Sequence, residues 1–319
     1  MNCAWWVRDE THRLFTVVNS PAGEPIGSAL LLPPFGAHLH NMFAPAFCLN
    51  RADVRTVRFD NRNNLGASAG EIADYKFGVL LEDARFAAQR MVELFGSDDF
   101  FIFGTSMSAP AAIALALEYP KARVFLLVPI LDLGRGVNLV SGTRGAMDAY
   151  RRRSPDIPGT RSILGHDIHL QDFVDELVGT QMGTAEEVLA GARSLRGRID
   201  IVVSEKDEYA TPELQRRLLE AVGSSEDAIV LEGTGHDLSL APEAAKRAFA
   251  HLVRSVQSHF GVPEAKRGDR VPQDATRAAA ARFDRKVITD FCSGHRVESG
   301  PLEDAPVPRH GGLMADAAD

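Results

Sequence analysis

Short continuous apolar runs, rather than an alternating pattern, mark the first half of the chain. Ala29-Leu30-Leu31-Leu32 stops at Pro33-Pro34, and Phe100-Phe101-Ile102-Phe103 runs directly into Gly104-Thr105-Ser106-Met107-Ser108. Between them, Val54-Arg55-Thr56-Val57-Arg58-Phe59-Asp60 gives way to the polar loop Asn61-Arg62-Asn63-Asn64-Leu65-Gly66. Runs of this length bounded by turn residues fit strands covered on both faces of a sheet. Arg123 to Ile130, Ile199 to Ser204 and Ala228 to Leu231 repeat the form. Near the N-terminus the β-branched run from Leu14 to Asn19, followed by Pro21-Ala22-Gly23-Glu24-Pro25, predicts an opening hairpin.

Helical segments separate these strands. They run from about Asn41 to Asn50, from Lys76 to Phe95 with Gly96 at the stop position, from Ala109 to Glu118 and from Pro242 to Phe260. Strand, helix, strand order predicts an α/β domain over residues 1–262, a mostly parallel sheet flanked by helices. Residues from about 132 to 198 show no clear strand and are rich in Gly, Arg and Asp. Such an insertion forms either a helical cap over a site or a peripheral excursion. Past Val262 the composition turns to charge, Pro and Gly, so residues 263–319 read as an extension, with one helix from Asp274 to Phe291 and a disordered end after Ser299.

Composition narrows the functional classes. With 45% hydrophobic and 24% charged residues in 319, the chain has the make-up of a globular protein with a sizeable core. Its net charge is −8 and no Lys/Arg face stands out, which argues against nucleic acid as a partner. Arg151, Arg152 and Arg153 form the tight basic run, either a landing point for an acidic partner or a solvated helix surface. No stretch is long and apolar enough to span a membrane, and the N-terminal residues do not have the form of a signal peptide, so a cytoplasmic location is expected. Cys3, Cys48 and Cys292 have no metal-ligand spacing; no metal and no cofactor is expected.

The chemistry concentrates at Ser106. A serine on a sharp turn between a strand and a helix is the arrangement called a nucleophile elbow, and it needs small neighbours because the backbone is strained and closely packed. Gly104-Thr105-Ser106-Met107-Ser108 supplies it, with serine in place of the second glycine of G-x-S-x-G. A serine needs a base, and the base needs an acid to fix its tautomer. Asp207 follows the strand Ile199 to Ser204, and His236 lies in the loop after the last strand. Glu205 and Glu208 compete with Asp207 for the acid's role, and Asp237 suits a loop-holding role. His38, His40, His166 and His169 occupy no loop after a terminal strand. An oxyanion would need two backbone N–H groups. Met107 offers the first, and Phe35 or Gly36 the second, Phe35 being favoured because Pro33 and Pro34 have no N–H.

These residues resemble a specific family within the α/β-hydrolase fold: the acyltransferase, or acyl-carrier-protein thioesterase, that supplies fatty acid to the reductase of bacterial luminescence. Similar features run from about residue 10 to 260: Phe35-Gly36-Ala37-His38, Arg58-Phe59-Asp60, Leu65-Gly66-Ala67-Ser68-Ala69-Gly70-Glu71-Ile72, Gly136-Val137-Asn138-Leu139, Gly165-His166-Asp167 and Gly233-Thr234-Gly235-His236-Asp237-Leu238. Thr105-Ser106-Met107-Ser108-Ala109 is similar to that family's elbow, which also carries serine where most hydrolases have glycine. The resemblance implies a Ser106, Asp207, His236 triad and an acyl-carrier-protein or coenzyme A thioester as acyl donor. The segment Arg135 to Thr184 departs from the family, so its long-chain preference does not carry over. The same triad also serves a carboxylesterase or amidase on a small molecule, and a hydrolase fold without catalysis can bind a ligand.

Overall fold

The structure is a computed structural model that describes residues 2–267, apart from 141, 143–144, 156–158, 181 and 224–227. The calls on the extension, a helix from Asp274 to Phe291 and the end after Ser299, lie outside the described residues. Ten strands are described: β1 (Asn2–Val7), β2 (Arg13–Asn19), β3 (Gly27–Leu32), β4 (Val54–Phe59), β5 (Phe101–Thr105), β6 (Arg123–Leu127), β7 (Thr160–Ile163), β8 (His166–His169), β9 (Ile199–Ser204) and β10 (Ala228–Leu231). Eight form one sheet in the order β1-β2-β4-β3-β5-β6-β9-β10. β1, β2 and β4 pair antiparallel, and every pairing from β4 through β3 to β10 is parallel.

The interior strands β3, β5, β6 and β9 are buried almost throughout, as their continuous apolar runs require. Helices α1 (Phe43–Arg51) and α9 (Pro242–His259) cover one face. The other is covered by α2 (Phe77–Phe95), α3 (Ala109–Glu118), α7 (Ala185–Ser194) and α8 (Pro212–Val222). α2 ends at Gly96 in the left-handed region, φ +70°, where the missing side chain removes the penalty on that backbone.

Two expectations are corrected. The hairpin at the N-terminus pairs β2 with the preceding β1, through a turn in which Asp9 accepts from the Thr11 and His12 amides, while Pro21 to Pro25 lead to β3, which lies beyond β4. β1 alternates poorly in burial, so its pattern alone does not announce it. The inserted stretch also holds a two-stranded hairpin, β7–β8, turned by Leu164 and Gly165 at φ +51° and +83°. Left-handed values at both central positions are those of a tight hairpin turn. Its strands have four residues and one buried isoleucine each, Ile163 and Ile168, too little to stand out as a pattern.

The rest of the insertion comprises α4 (Leu133–Val140), α5 (Ala146–Arg151) and α6 (Leu170–Leu177), packed in sequence and resting on α2 through α6. α7, at the end of the predicted 132–198 insertion, packs on α3 and α8 instead. The basic run is largely paired at the surface: Arg153 with Asp175 at 2.7 Å and Arg151 with Asp148 at 3.7 Å.

Glu176 links this subdomain to the main sheet layer. α2 starts after Lys76 with no side-chain cap, and the Glu176 carboxylate stands against its first turn, where the Phe77 and Gly78 amides favour its charged form. Burial nevertheless dominates and holds the Glu176 carboxyl above its ordinary value of 4.5. Because the folded state then holds the proton more tightly than the unfolded chain, the ionised carboxylate lowers stability as pH rises from about 4.5 through the folded value. Thermal unfolding of Glu176→Gln is therefore expected at a higher temperature than wild type near pH 8, with the difference closing at about pH 4.

Candidate functional site

The C-terminal ends of β5, β6 and β9 define a cleft whose floor is strained backbone. Ser106 has φ +50° and Val128, just past β6, has φ +42°. Positive φ at a non-glycine residue costs of order 1–3 kcal/mol, and for a β-branched residue it is rare. The elbow tolerates this because α3 starts immediately after it and crosses β5 closely. A Cβ on Gly104 would lie 2.6 Å from the Ala112 Cβ and 3.2 Å from the Ala109 Cα, so glycine is required there and alanine opposite.

Serine at the second glycine position has its own role. The fully buried Ser108 hydroxyl accepts from the Thr105 amide at 3.0 Å and faces the Leu32 and Thr105 carbonyls, each at 2.9 Å, to one of which it donates. Donated to Leu32, the hydroxyl proton ties the elbow to the end of β3. The Ser106 carbonyl accepts from the Ile130 amide at 3.1 Å, fixing the turn from its other side.

Three side chains meet at this point. Ser106 Oγ lies 2.8 Å from His236 Nε2, and His236 Nδ1 lies 2.9 Å from Asp207 Oδ2. Asp207 is buried, and its Oδ1 accepts from the Tyr209 and Ala210 amides at 2.8 and 3.3 Å. These bonds leave Oδ2 aimed at the imidazole. With Oδ2 accepting from Nδ1–H, His236 has Nε2 as its acceptor toward the serine hydroxyl. The Tyr209 ring stands edge-on to the His236 ring at 4.7 Å and limits its rotation.

The competing carboxylates are elsewhere. Glu205 accepts from the Gly233 amide at 2.7 Å, Asp237 caps the turn Leu238–Leu240 through the Ser239 amide, and Glu208 is exposed at the cleft's edge. Of the other histidines, His169 pairs with Asp74 at 2.8 Å, His38 caps the turn Leu39–Met42, and His166 reaches over Phe35 from β8. Burial beside His38 and Arg58 lowers His40 to about 4, leaving it neutral at pH 7. Among the described residues, no group of three or more His, Cys, Asp or Glu is placed to hold a metal ion.

The loop after β3 is the second wall. The Gly36 amide donates to Asn64 Oδ1 at 3.0 Å, so it is already occupied. Among the described residues, the Phe35 amide has no such acceptor, and the Met107 amide lies in the first turn of a helix, where intrahelical acceptors are lacking. Both residues line the cleft beside Ser106.

Two spaces adjoin here. The open cleft, about 1450 Å³ with its mouth, is lined by Ser106, His236, Met42, Leu238 and Glu208 among others. A narrower and more enclosed apolar cavity of about 40 Å³ lies under α4 and the β7–β8 hairpin, walled by Tyr75, Leu133, Val137, Ile168 and Phe173. Phe35, Met107, Ile130, Ile163 and Tyr209 belong to both walls. Sequence reasoning missed the inward placement of Tyr75 and Tyr209 and the contact of Asn64 with the loop, because each depends on distant chain segments.

By sequence, no protein-family profile matches the chain, and no curated protein does. By structure it is similar to an alpha-beta serine hydrolase homologue from Coxiella burnetii (TM-score 0.52, 16% identity, 80% of this chain and 98% of that one). It is similar also to a monoacylglycerol lipase from Paleococcus ferrophilus (TM-score 0.55, 18% identity, 77% and 99% covered). A third is the ferulic-acid-bound Est1E from Butyrivibrio proteoclasticus (TM-score 0.56, 17% identity, 78% and 99% covered). The parallel sheet with its antiparallel N-terminal edge, the helices on both faces and these likenesses together give the chain the α/β-hydrolase fold.

Proposed function

We propose that the chain is a serine acyl-transfer enzyme that takes an acyl group from an acyl-carrier-protein or coenzyme A thioester through an acyl-Ser106 intermediate. The observation that carries this reading is the hydrogen-bonded line from Ser106 through His236 to Asp207, set between an open cleft and an apolar cavity. Ser106 Oγ attacks the acyl carbonyl while His236 Nε2 takes its proton, and Asp207 stabilises the imidazolium that forms. The Phe35 and Met107 amides receive the carbonyl oxygen as it becomes an oxyanion. Collapse expels the thiolate, which His236 protonates. Water or another nucleophile, deprotonated by His236, then releases the acyl group.

The narrow apolar cavity is the place for the part of the acyl chain next to the carbonyl, since it shares Phe35 and Met107 with the cleft that holds Ser106 and its walls offer a hydrocarbon contact. The thioester preference is supported by the elbow's likeness to the luminescence family. A second reading, a carboxylesterase acting on small oxyesters, is favoured by neighbours described as a monoacylglycerol lipase and as a protein with bound ferulic acid.

Three outcomes test these assignments. Ser106→Ala is expected to fold normally, to lose fluorophosphonate labelling and to retain no more than about a thousandth of wild-type turnover; retained turnover refutes the nucleophile. At equal acyl length, thioester kcat/KM is expected to exceed that of the oxyester, and the reverse order selects the carboxylesterase reading. Val137→Phe, which fills the cavity, is expected to lower kcat/KM for long acyl groups about tenfold while leaving acetyl substrates nearly unchanged.

A further inference from the structure

The geometry points to Asn64 as the positioning residue of the oxyanion site, an assignment that rests on the acyl-transfer reading above. Asn64 is a buried residue of the loop after β4, distant in sequence from Ser106, Asp207 and His236. Its side-chain amide grips the loop after β3 on both sides of Phe35: Nδ2 donates to the Pro34 carbonyl at 3.0 Å and Oδ1 accepts from the Gly36 amide at 3.0 Å. The partners fix the orientation of the amide, because a carbonyl only accepts and a backbone N–H only donates.

The first bond acts through peptide planarity. Pro34 C=O and Phe35 N–H belong to the same trans peptide and point in opposite directions. Drawing the carbonyl toward Asn64 turns the Phe35 N–H away from it, to the side where Pro34, Phe35 and Ser106 line the cleft. The second bond occupies the Gly36 N–H, which would otherwise compete for the same oxyanion. Gly36 takes φ +68° to make this turn, and Ala37 donates to the same Pro34 carbonyl at 3.3 Å.

Asn64 is itself held by a rigid surround. The neighbouring Asn61 donates through Nδ2 to the Pro33 carbonyl at 3.1 Å, extending the grip one residue back. Asn63 donates from its backbone to the Ala69 carbonyl at 3.0 Å, and Asp60 receives the Leu39 and Ala67 amides, both at 2.7 Å. The loop is thus closed on itself before it reaches the loop after β3. A preorganised donor of this kind needs no rearrangement when charge develops.

Asparagine is suited to this place because one planar group supplies both a donor and an acceptor. Asn64→Asp keeps the shape and the acceptor but sets a carboxylate oxygen against the Pro34 carbonyl, which disfavours the productive peptide orientation. Asn64→Ala removes both bonds.

The test compares wild type, Asn64→Asp and Asn64→Ala for turnover of one short-chain acyl ester and one acyl thioester, and for affinity toward an alkylboronic acid, whose tetrahedral serine adduct places an oxygen in the oxyanion site. For both variants kcat is expected to fall about 10²-fold with KM within about threefold, and boronate affinity to fall in parallel, while binding of the free product acid stays as in wild type. Asn64→Ala carries the comparison if Asn64→Asp does not fold. Wild-type kcat and boronate affinity in a folded variant would overturn the role of Asn64 alone, as would losses confined to KM. A wild-type protein that forms no boronate adduct at Ser106 overturns the acyl-transfer reading, and the role of Asn64 with it.

Discussion

The turn from β5 into α3 is made in the three residues Ser106 to Ser108, and it opens on Ser106 at φ +50°. Everything around it serves to hold so unfavourable a backbone. Gly104 admits α3 against the strand, Ala109 and Ala112 keep the contact short, and the Ser108 hydroxyl ties the turn to β3. In exchange for the strain, the serine hydroxyl stands clear of its own strand at the sheet's C-terminal edge. There it meets His236 from the loop after β10 and, behind it, Asp207 from the loop after β9.

From this turn the two adjoining spaces acquire different uses in the proposed reaction. The cleft exposes Ser106 and His236 to an incoming donor or acceptor, and the cavity under α4 and the β7–β8 hairpin gives an acyl chain an apolar wall. Phe35 and Met107 stand on the boundary between them, which is where the reacting carbonyl would lie. The enclosing residues come from the inserted stretch as well as the main sheet, and Leu133, Val137 and Ile168 of that stretch line the cavity without lining the cleft around Ser106.

What the sequence makes legible follows from how local each signal is. The buried parallel strands announce themselves as continuous apolar runs, and the elbow is readable because its strand, turn and helix are contiguous. The meeting of Ser106 with His236 is suggested by the order of residues along the chain, but its 2.8 Å distance is a property of the packed sheet. β1 and the β7–β8 hairpin were not legible, the first for want of alternation and the second because its strands carry one buried isoleucine apiece. The Asn64 grip on Pro34 and Gly36 was hidden for a different reason. A polar loop reads as solvent-facing, and only the fold shows that this asparagine is buried against another loop.

The central claim is that Ser106 carries an acyl group during turnover. Intact-protein mass spectrometry after brief incubation with a panel of acyl thioesters tests it most directly. The account predicts a mass increase equal to one acyl group, mapped to Ser106 by peptide analysis, decaying as product appears and absent from Ser106→Ala. Turnover of any of these thioesters by Ser106→Ala at the wild-type rate, or an acyl group mapped to a different residue, would contradict it.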